Sequence, residues 1–309
     1  MKAEVLHQAY FRPQNEGANI ENYIGFKHLT YLMEETIINY FREKYLSPNQ
    51  LLRMFGVKFY IKSLKIDILK AVNIDDEIVM KIFSPNEYPT NRFKIKASDN
   101  SGILFFKGEL VVCIDKPIKD AEFHLVSKNF RYLLKEMVEK EATDNNIELP
   151  INNSNPIQIL KEYKSFNSAF IFSKRIPYYY CNYTDELHHS GYERIIEEAV
   201  DLFLEERGMS IRTMLNSKRW IPVVSKSQIE IKHKIKLEDT IYIAFSVKNI
   251  VLNSIYEADI YFFKQYNNKL IEVANGSITH GYSCIKNPET PELVIFDELT
   301  LKKLSNEKY

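Results

Sequence analysis

An eighteen-residue pattern of apolar, polar and acidic positions recurs in this chain, and a repeat constrains architecture more than any single motif, because two copies of a segment build two copies of one structure. KIDILKAVNIDDEIVMKI (Lys65–Ile82) aligns without a gap on QIEIKHKIKLEDTIYIAF (Gln228–Phe245), an offset of 163 residues (228 less 65). Ile66 falls on Ile229, Asp67 on Glu230, Ile68 on Ile231, Asp76 on Asp239 and Ile78 on Ile241. Each copy alternates apolar and polar residues, turns at an acidic tripeptide and alternates again, which reads as strand, turn, strand. A second match lies upstream. His28, Tyr31, Glu34 and Glu35 resemble His189, Tyr192, Glu197 and Glu198, with His28 falling on His189 at an offset of 161.

The segment after each H-x-x-Y reads as a helix. In the second copy Tyr192, Ile195, Ile196, Ala199, Val200 and Phe203 recur at three- and four-residue spacing, and Glu193, Arg194, Glu197, Glu198 and Asp201 are expected largely on the opposite face. Each half then runs through several alternating strands. A helix followed by four or five antiparallel strands buries its stripe by lying across the sheet, so the expected class is α+β: a double hotdog, two tandem helix-on-antiparallel-sheet domains packed as a pseudo-dimer. The expected boundaries are 1–120 for the first domain, 121–165 for a helical linker and 166–309 for the second. Ser127 to Lys140 reads as an extra helix, DNNIELPINNSNP as an exposed linker, and the tyrosine run 178–180 as strand core.

The 309 residues suffice for two cores, and 45% hydrophobic with 27% charged residues is the mix of a globular protein. The 41 basic residues balance 41 acidic ones, which removes the positive field a nucleic-acid binder uses. No apolar run approaches the ~18 residues of a membrane span, and the expected location is cytoplasmic. Cys113, Cys181 and Cys284 form neither a CxxC pair nor an even framework and are expected as free thiols. Seven scattered histidines support no metal site, and there is no Gly-rich phosphate loop.

YYYCNYTDELHHSGYERIIEEAVDLFLEERG resembles the active-site region of the 4-hydroxybenzoyl-CoA thioesterase-like branch of the hotdog superfamily. That branch carries an Asp, a short loop to a V-Y-H-A-N-Y-like element, and a helix with a Glu eight residues past the His. Asp185, the Leu187–Tyr192 element and Glu197 match it, although the loop from Asp185 to His189 is shorter than the family's. The resemblance implies catalytic roles for Asp185, His189 and Glu197. It implies substrate contacts at the helix start from His188, Ser190, Gly191 and Tyr192. Lys218 and Arg219 beside Trp220 offer charge to the phosphates of CoA or phosphopantetheine. Around His28 this alignment puts Ile24 at the place of Asp185 and Thr36 at that of Glu197, so the first domain's site is expected to be degenerate. Plainer readings stand beside these: an N-cap for Asp185, a solvated helix position for Glu197, surface or interface imidazoles for the two histidines, and an exposed loop for Lys218–Arg219.

The fused arrangement is also similar to the fatty acyl-ACP thioesterases of plants and bacteria. The implied activity is hydrolysis of an acyl-CoA or acyl-carrier-protein thioester, in fatty-acid or polyketide-type metabolism. No cofactor is implied, since the substrate carries its own CoA or phosphopantetheine. Dehydration or acyl transfer on the same thioesters, and non-catalytic acyl binding, are the competing readings. The implied partners are acyl-CoA or acyl carrier protein, with no nucleic acid and no membrane span; a homodimer of double hotdogs is a further expectation.

Overall fold

The computed structural model describes residues 4–83, 90–119, 124, 126–139, 146–151, 154–284 and 292–305. The chain divides into two compact units. Unit 1 holds Met1–Ala142 with His188–Ser190, and unit 2 holds Thr143–Leu187 with Gly191–Tyr309.

Unit 1 contains β1 (Val5–Phe11), α1 (Phe26–Glu43), α2 (Pro48–Phe55), β2 (Phe59–Ile68), β3 (Ile78–Phe83), β4 (Arg92–Ser98), β5 (Leu104–Ile114) and α3 (Lys128–Glu136). Its strands pair antiparallel in the order β1-β3-β4-β5-β2. Alternation along β4 buries Phe93, Ile95 and Ala97 and leaves Arg92, Lys94 and Lys96 in water, the period-two pattern of a sheet with one covered face. The long helix α1 presents Leu29, Met33, Ile37, Tyr40 and Phe41 to the core. The shorter α2 is fixed by a capping box between Ser47 and Gln50, by Pro48 in its first turn, and by Gly56 in the left-handed conformation at its end (φ 62°).

Unit 2 contains β6 (Glu148–Pro150), α4 (Pro156–Glu162), β7 (Phe170–Arg175), α5 (His189–Glu206), α6 (Ile211–Lys218), β8 (Trp220–Ile231), β9 (Thr240–Val251), β10 (Ile255–Tyr266), β11 (Lys269–Cys284), β12 (Glu292–Leu293) and α7 (Glu298–Leu304). Its main strands repeat the order of unit 1 as β7-β9-β10-β11-β8, with β6 and β12 added to β11. The two units are therefore two copies of one hotdog topology, an α+β fold. No described helix is long and apolar enough to cross a membrane.

The offset of 163 read from the strands holds well beyond them. Ala9 lies opposite Met80 as Phe172 lies opposite Ile243. Isolated bridges join Ala18 to Ile24 and Cys181 to Leu187, then Tyr23 to Asn73 and Glu186 to Lys236. Helices α1 and α5 both run for 18 residues, from 26 and from 189. This corrects the offset of 161 for the H-x-x-Y match. His28 falls on Gly191 rather than His189, Asn22 rather than Ile24 falls on Asp185, and Glu34 rather than Thr36 falls on Glu197. The reason is packing. The buried stripe Leu29, Met33, Ile37, Phe41 falls on Tyr192, Ile196, Val200, Leu204, and a slip of two residues would turn that stripe by about 200° around the helix axis. Thr30 then falls on Glu193, which is fully buried and accepts from the Ser227 hydroxyl at 3.2 Å; it lies on the covered face, not the polar face the spacing predicts.

Three further expectations meet the structure. Part of the stretch expected as linker is strand, because Ile147, Leu149 and Ile151 alternate into a small core with Leu160, Phe166 and Phe263; residues 144, 145, 152 and 153 lie outside the described ones. The tyrosine run 178–180 is a 3-10 turn instead of strand core, with only Tyr180 buried. The three cysteines are free thiols.

Gly108 in β5 and Gly276 in β11 mark where the duplicated sheets leave no room for a side chain. A Cβ on Gly108 would stand 2.6 Å from the Lys65 carbonyl, and one on Gly276 would overlap the carbonyl of Gln228, the residue equivalent to Lys65. Backbone cannot yield as a side-chain tip does, so Gly276→Ala is expected to cost about 1–3 kcal/mol of stability in urea titration. An unchanged midpoint would contradict this strand register.

Candidate functional site

The chain entering α5 is tied down before it becomes helical. After the 3-10 turn it closes a loop through the Cys181–Leu187 bridge, and the Leu237 and Leu187 amides bond to Asp185 and Ile235 carbonyls at 2.7 and 2.8 Å. Asp185 sits at the outer edge of this loop. Its carboxylate is 53% exposed and 3.4 Å from Lys236. Gly191 is required at the inner edge, since a Cβ there would meet the Leu187 side chain and stand 3.2 Å from the Tyr180 carbonyl. Next to it Tyr192 is buried with its ring on Phe262 (5.5 Å), and burial, reinforced by Glu186 and Asp239, pushes its phenol above the ordinary range.

Between Leu187 and Gly191 come the three residues counted with unit 1, and they carry a polar cluster. The Ser190 hydroxyl donates to Glu34 Oε2, and His188 Nδ1 lies 3.1 Å from the same hydroxyl. A hydroxyl has one proton to give. When Ser190 gives it to Glu34, His188 must donate from Nδ1, which fixes the imidazole tautomer. Glu34 is half-buried as a residue with its carboxyl end enclosed, and burial raises its pKa; Ser190 opposes the shift in part and Glu35 adds to it. A carboxyl group enclosed in this way, held by one hydroxyl, keeps its proton more firmly than an exposed one and is a stronger base once ionised.

His189 does not join that hydrogen-bonded chain. It takes the place that Phe26 has in α1, is 4% exposed, and its Nε2 has no hydrogen-bond partner among the described residues. Burial, with His188 adding to it, lowers its pKa to about 3, so it is neutral across the physiological range. Glu197 is half-buried on α5, and its neighbour Glu198 holds Lys174 at 2.6 Å. Lys218 is engaged by Asp297 at 2.5 Å and lies over the Trp220 ring at 4.5 Å. Arg219 is exposed, in the left-handed conformation that ends α6. Both precede β8, whereas Lys236, the partner of Asp185, follows it, and twelve strand residues span roughly 40 Å. The structure thus brings His188 and Ser190 together with Glu34 and leaves Lys218 and Arg219 apart from Asp185. Glu34 was the residue missed as a site candidate, and the 163-residue offset already places it on Glu197. Among the described residues no three His, Cys, Asp or Glu side chains group to hold a metal.

Two units of one hotdog topology in a single chain give it the fold of a tandem hotdog. Solved structures share this arrangement along nearly their whole length. A putative oleoyl thioesterase from Lactobacillus plantarum superposes with a TM-score of 0.61 at 8% identity, covering 91% of this chain and 97% of that one. The 12:0-ACP thioesterase from Umbellularia californica gives 0.58 at 8% identity, with 93% and 94% covered. An acyl-ACP thioesterase from Bacteroides thetaiotaomicron gives 0.56 at 11%, with 89% and 97% covered. No family model matches the sequence, and no curated protein matches it either. At these identities the likeness is one of fold.

Proposed function

We propose that this chain hydrolyses an acyl thioester with Glu34 as the general base. The observation that carries the reading is the enclosed Glu34 carboxyl held by the Ser190 hydroxyl at the first turn of a long helix. The tandem hotdog fold it shares with proteins described as thioesterases supports it as analogy. Glu34 takes a proton from water, the water oxygen bonds to the acyl carbon, and the carbonyl oxygen becomes an oxyanion. In this reading the oxyanion is stabilised by the backbone N–H groups of His189 and Ser190, at the positive end of α5. The C–S bond then breaks, and the thiolate leaves with the proton that Glu34 returns. Ser190 and His188 act as positioning residues for the carboxyl.

The duplication argues that this cluster exists once. At the offset of 163, Gly25 and Lys27 occupy the places of His188 and Ser190, so neither the imidazole nor the hydroxyl has a counterpart in the first half. Asp185, His189 and Glu197 stand as a second set of candidates in the same proposal, because Glu197 has in α5 the position Glu34 has in α1. An acyl-CoA or acyl-carrier substrate, fatty-acid or polyketide-type metabolism, a cytoplasmic location and a homodimer are its finer parts.

A panel of acyl-CoA and acyl-carrier thioesters assayed with a thiol-detecting reagent tests the reaction. Thiol release is expected; an enoyl product without thiol would instead mark a dehydratase, and binding without turnover an acyl-binding module. Ser190→Ala is expected to lower kcat about tenfold near neutrality and to move the acid limb of the pH profile upward, since the hydroxyl is what holds the Glu34 pKa down. An unmoved limb would remove Ser190 from the mechanism.

A further inference from the structure

The 3-10 turn at 178–180 presents more aromatic surface to water than its structural role requires. Tyr180 does the structural work: it is buried, its carbonyl abuts Gly191, and Lys174 and Arg194 lie over its ring at 5.2 and 5.8 Å. Tyr178 and Tyr179 are 81% and 65% exposed, and Tyr183 in the following loop is 42% exposed. The equivalent turn of unit 1, also 3-10, is built from Asn15, Glu16 and Gly17. The fold therefore makes this turn without aromatic residues, and the tyrosines of unit 2 call for another explanation.

We propose that Tyr178 and Tyr179 form a stacking site for the adenine of coenzyme A, making the substrate of the reaction proposed above a CoA thioester. The inference rests on that reading for the reaction but concerns a separate binding step in unit 2. Exposed phenol rings offer flat faces to a heteroaromatic base, the sequence-tolerant contact by which proteins hold unpaired nucleobases. Phosphates need cations beside the rings. Arg175, three residues before Tyr178 and paired with Glu238, and Lys236, paired with Asp185, have side chains 60% and 57% exposed. Exposed pairs of this kind contribute little, so their cations can be shared with a nucleotide's phosphates. A protein partner is a poorer fit, since a stable protein interface buries about 1,200 Å² or more in total and this patch is two or three rings. The turn leads through the Cys181–Leu187 bridge directly into His188 and Ser190, so nucleotide and thioester would be held by one continuous stretch of chain.

The test compares the full chain with Tyr178→Ala/Tyr179→Ala and with Tyr178→Phe/Tyr179→Phe, titrated calorimetrically with CoA, with adenosine 3′,5′-bisphosphate and with pantetheine. Both positions are exposed, so the variants are expected to fold, which matched circular dichroism and melting would verify. The alanine pair is expected to weaken CoA and the bisphosphate about tenfold or more and to leave pantetheine unchanged, and the phenylalanine pair to restore binding. Equal CoA affinity in wild type and alanine pair, or no binding of CoA to either, overturns the site. In turnover the KM for acyl-CoA is expected to rise while that for acyl-pantetheine does not; an equal rise for an acyl-carrier protein would assign the rings to a protein partner and also overturn it. Tyrosine-dependent CoA binding without thioester cleavage would sink the hydrolase reading and leave the nucleotide site standing.

Discussion

Glu34→Gln is expected to lower kcat on the best thioester by about a hundredfold to ten-thousandfold with little change in KM, because it removes the base and keeps the shape and the hydrogen bond from Ser190. The same substitution should make the chain more stable at neutral pH. Glu34 has its pKa raised in the folded state, chiefly by burial, so folding favours its protonated form. Below the ordinary carboxyl pKa it is protonated whether the chain is folded or not, and the folded state pays no penalty. As pH rises through the folded-state value the carboxyl ionises in an enclosed setting, and that part of the stability is lost. A permanently neutral glutamine avoids the loss. Urea midpoints of wild type and Glu34→Gln should therefore converge in acid and separate toward neutrality with the variant higher. Asp185→Asn and Glu197→Gln, assayed beside it, distinguish the two sets of carboxylates: a loss confined to either of them would move the chemistry to the second unit.

Strand signals were legible because they are local. Alternation and an acidic turn survive in Lys65–Ile82 and Gln228–Phe245 whatever surrounds them, and the same offset proved to govern the helices, the loops before them and strand β1 against β7. The H-x-x-Y match gives a helix register two residues out, because His and Tyr recur as chemistry, whereas register is fixed by the residues that must be covered. Leu29, Met33, Ile37 and Phe41 carry that information and contain no reactive group. Glu193 shows the limit of reading a face from polarity. It lies in line with the buried stripe, and its contact with Ser227 of β8 helps to make the position tolerable. The Glu34–Ser190 contact joins residues 156 apart in sequence, a pairing no local pattern announces. Residues around Asp185 kept their local resemblance, but an exposed loop and the Lys236 ion pair give that carboxylate a different environment from that of Glu34.

Acid is expected to weaken this protein through buried histidines, and His280 carries a testable share of that loss. It lies in β11 with its ring 4.9 Å from Tyr256 and 5.7 Å from Tyr282, all three fully buried, and its Nδ1 and both phenol hydroxyls have no hydrogen-bond partner among the described residues. Pairing of β2 with β5 and of β8 with β11 places His280 and Tyr282 on Val112 and Ile114 of unit 1, so polar rings replace aliphatic side chains in one copy. Burial lowers the His280 pKa from 6.5 to about 3. An unfolded chain takes up this proton as pH falls through 6.5, while the folded chain refuses it until about 3. The histidine part of the stability is complete above 6.5 and falls through that window at about 1.4 kcal/mol per pH unit for each such group, with His189 adding a second. His280→Leu, of similar volume and without a proton to bind, should remove about half of that slope between pH 6 and pH 4.5. Asp297 does not confuse the comparison, since its pKa is lowered to about 2 by Lys218 and its loss falls at more acid pH. Parallel stability curves for wild type and variant would show that His280 is protonated in the folded state, and that the space around its ring is wetter than its burial implies.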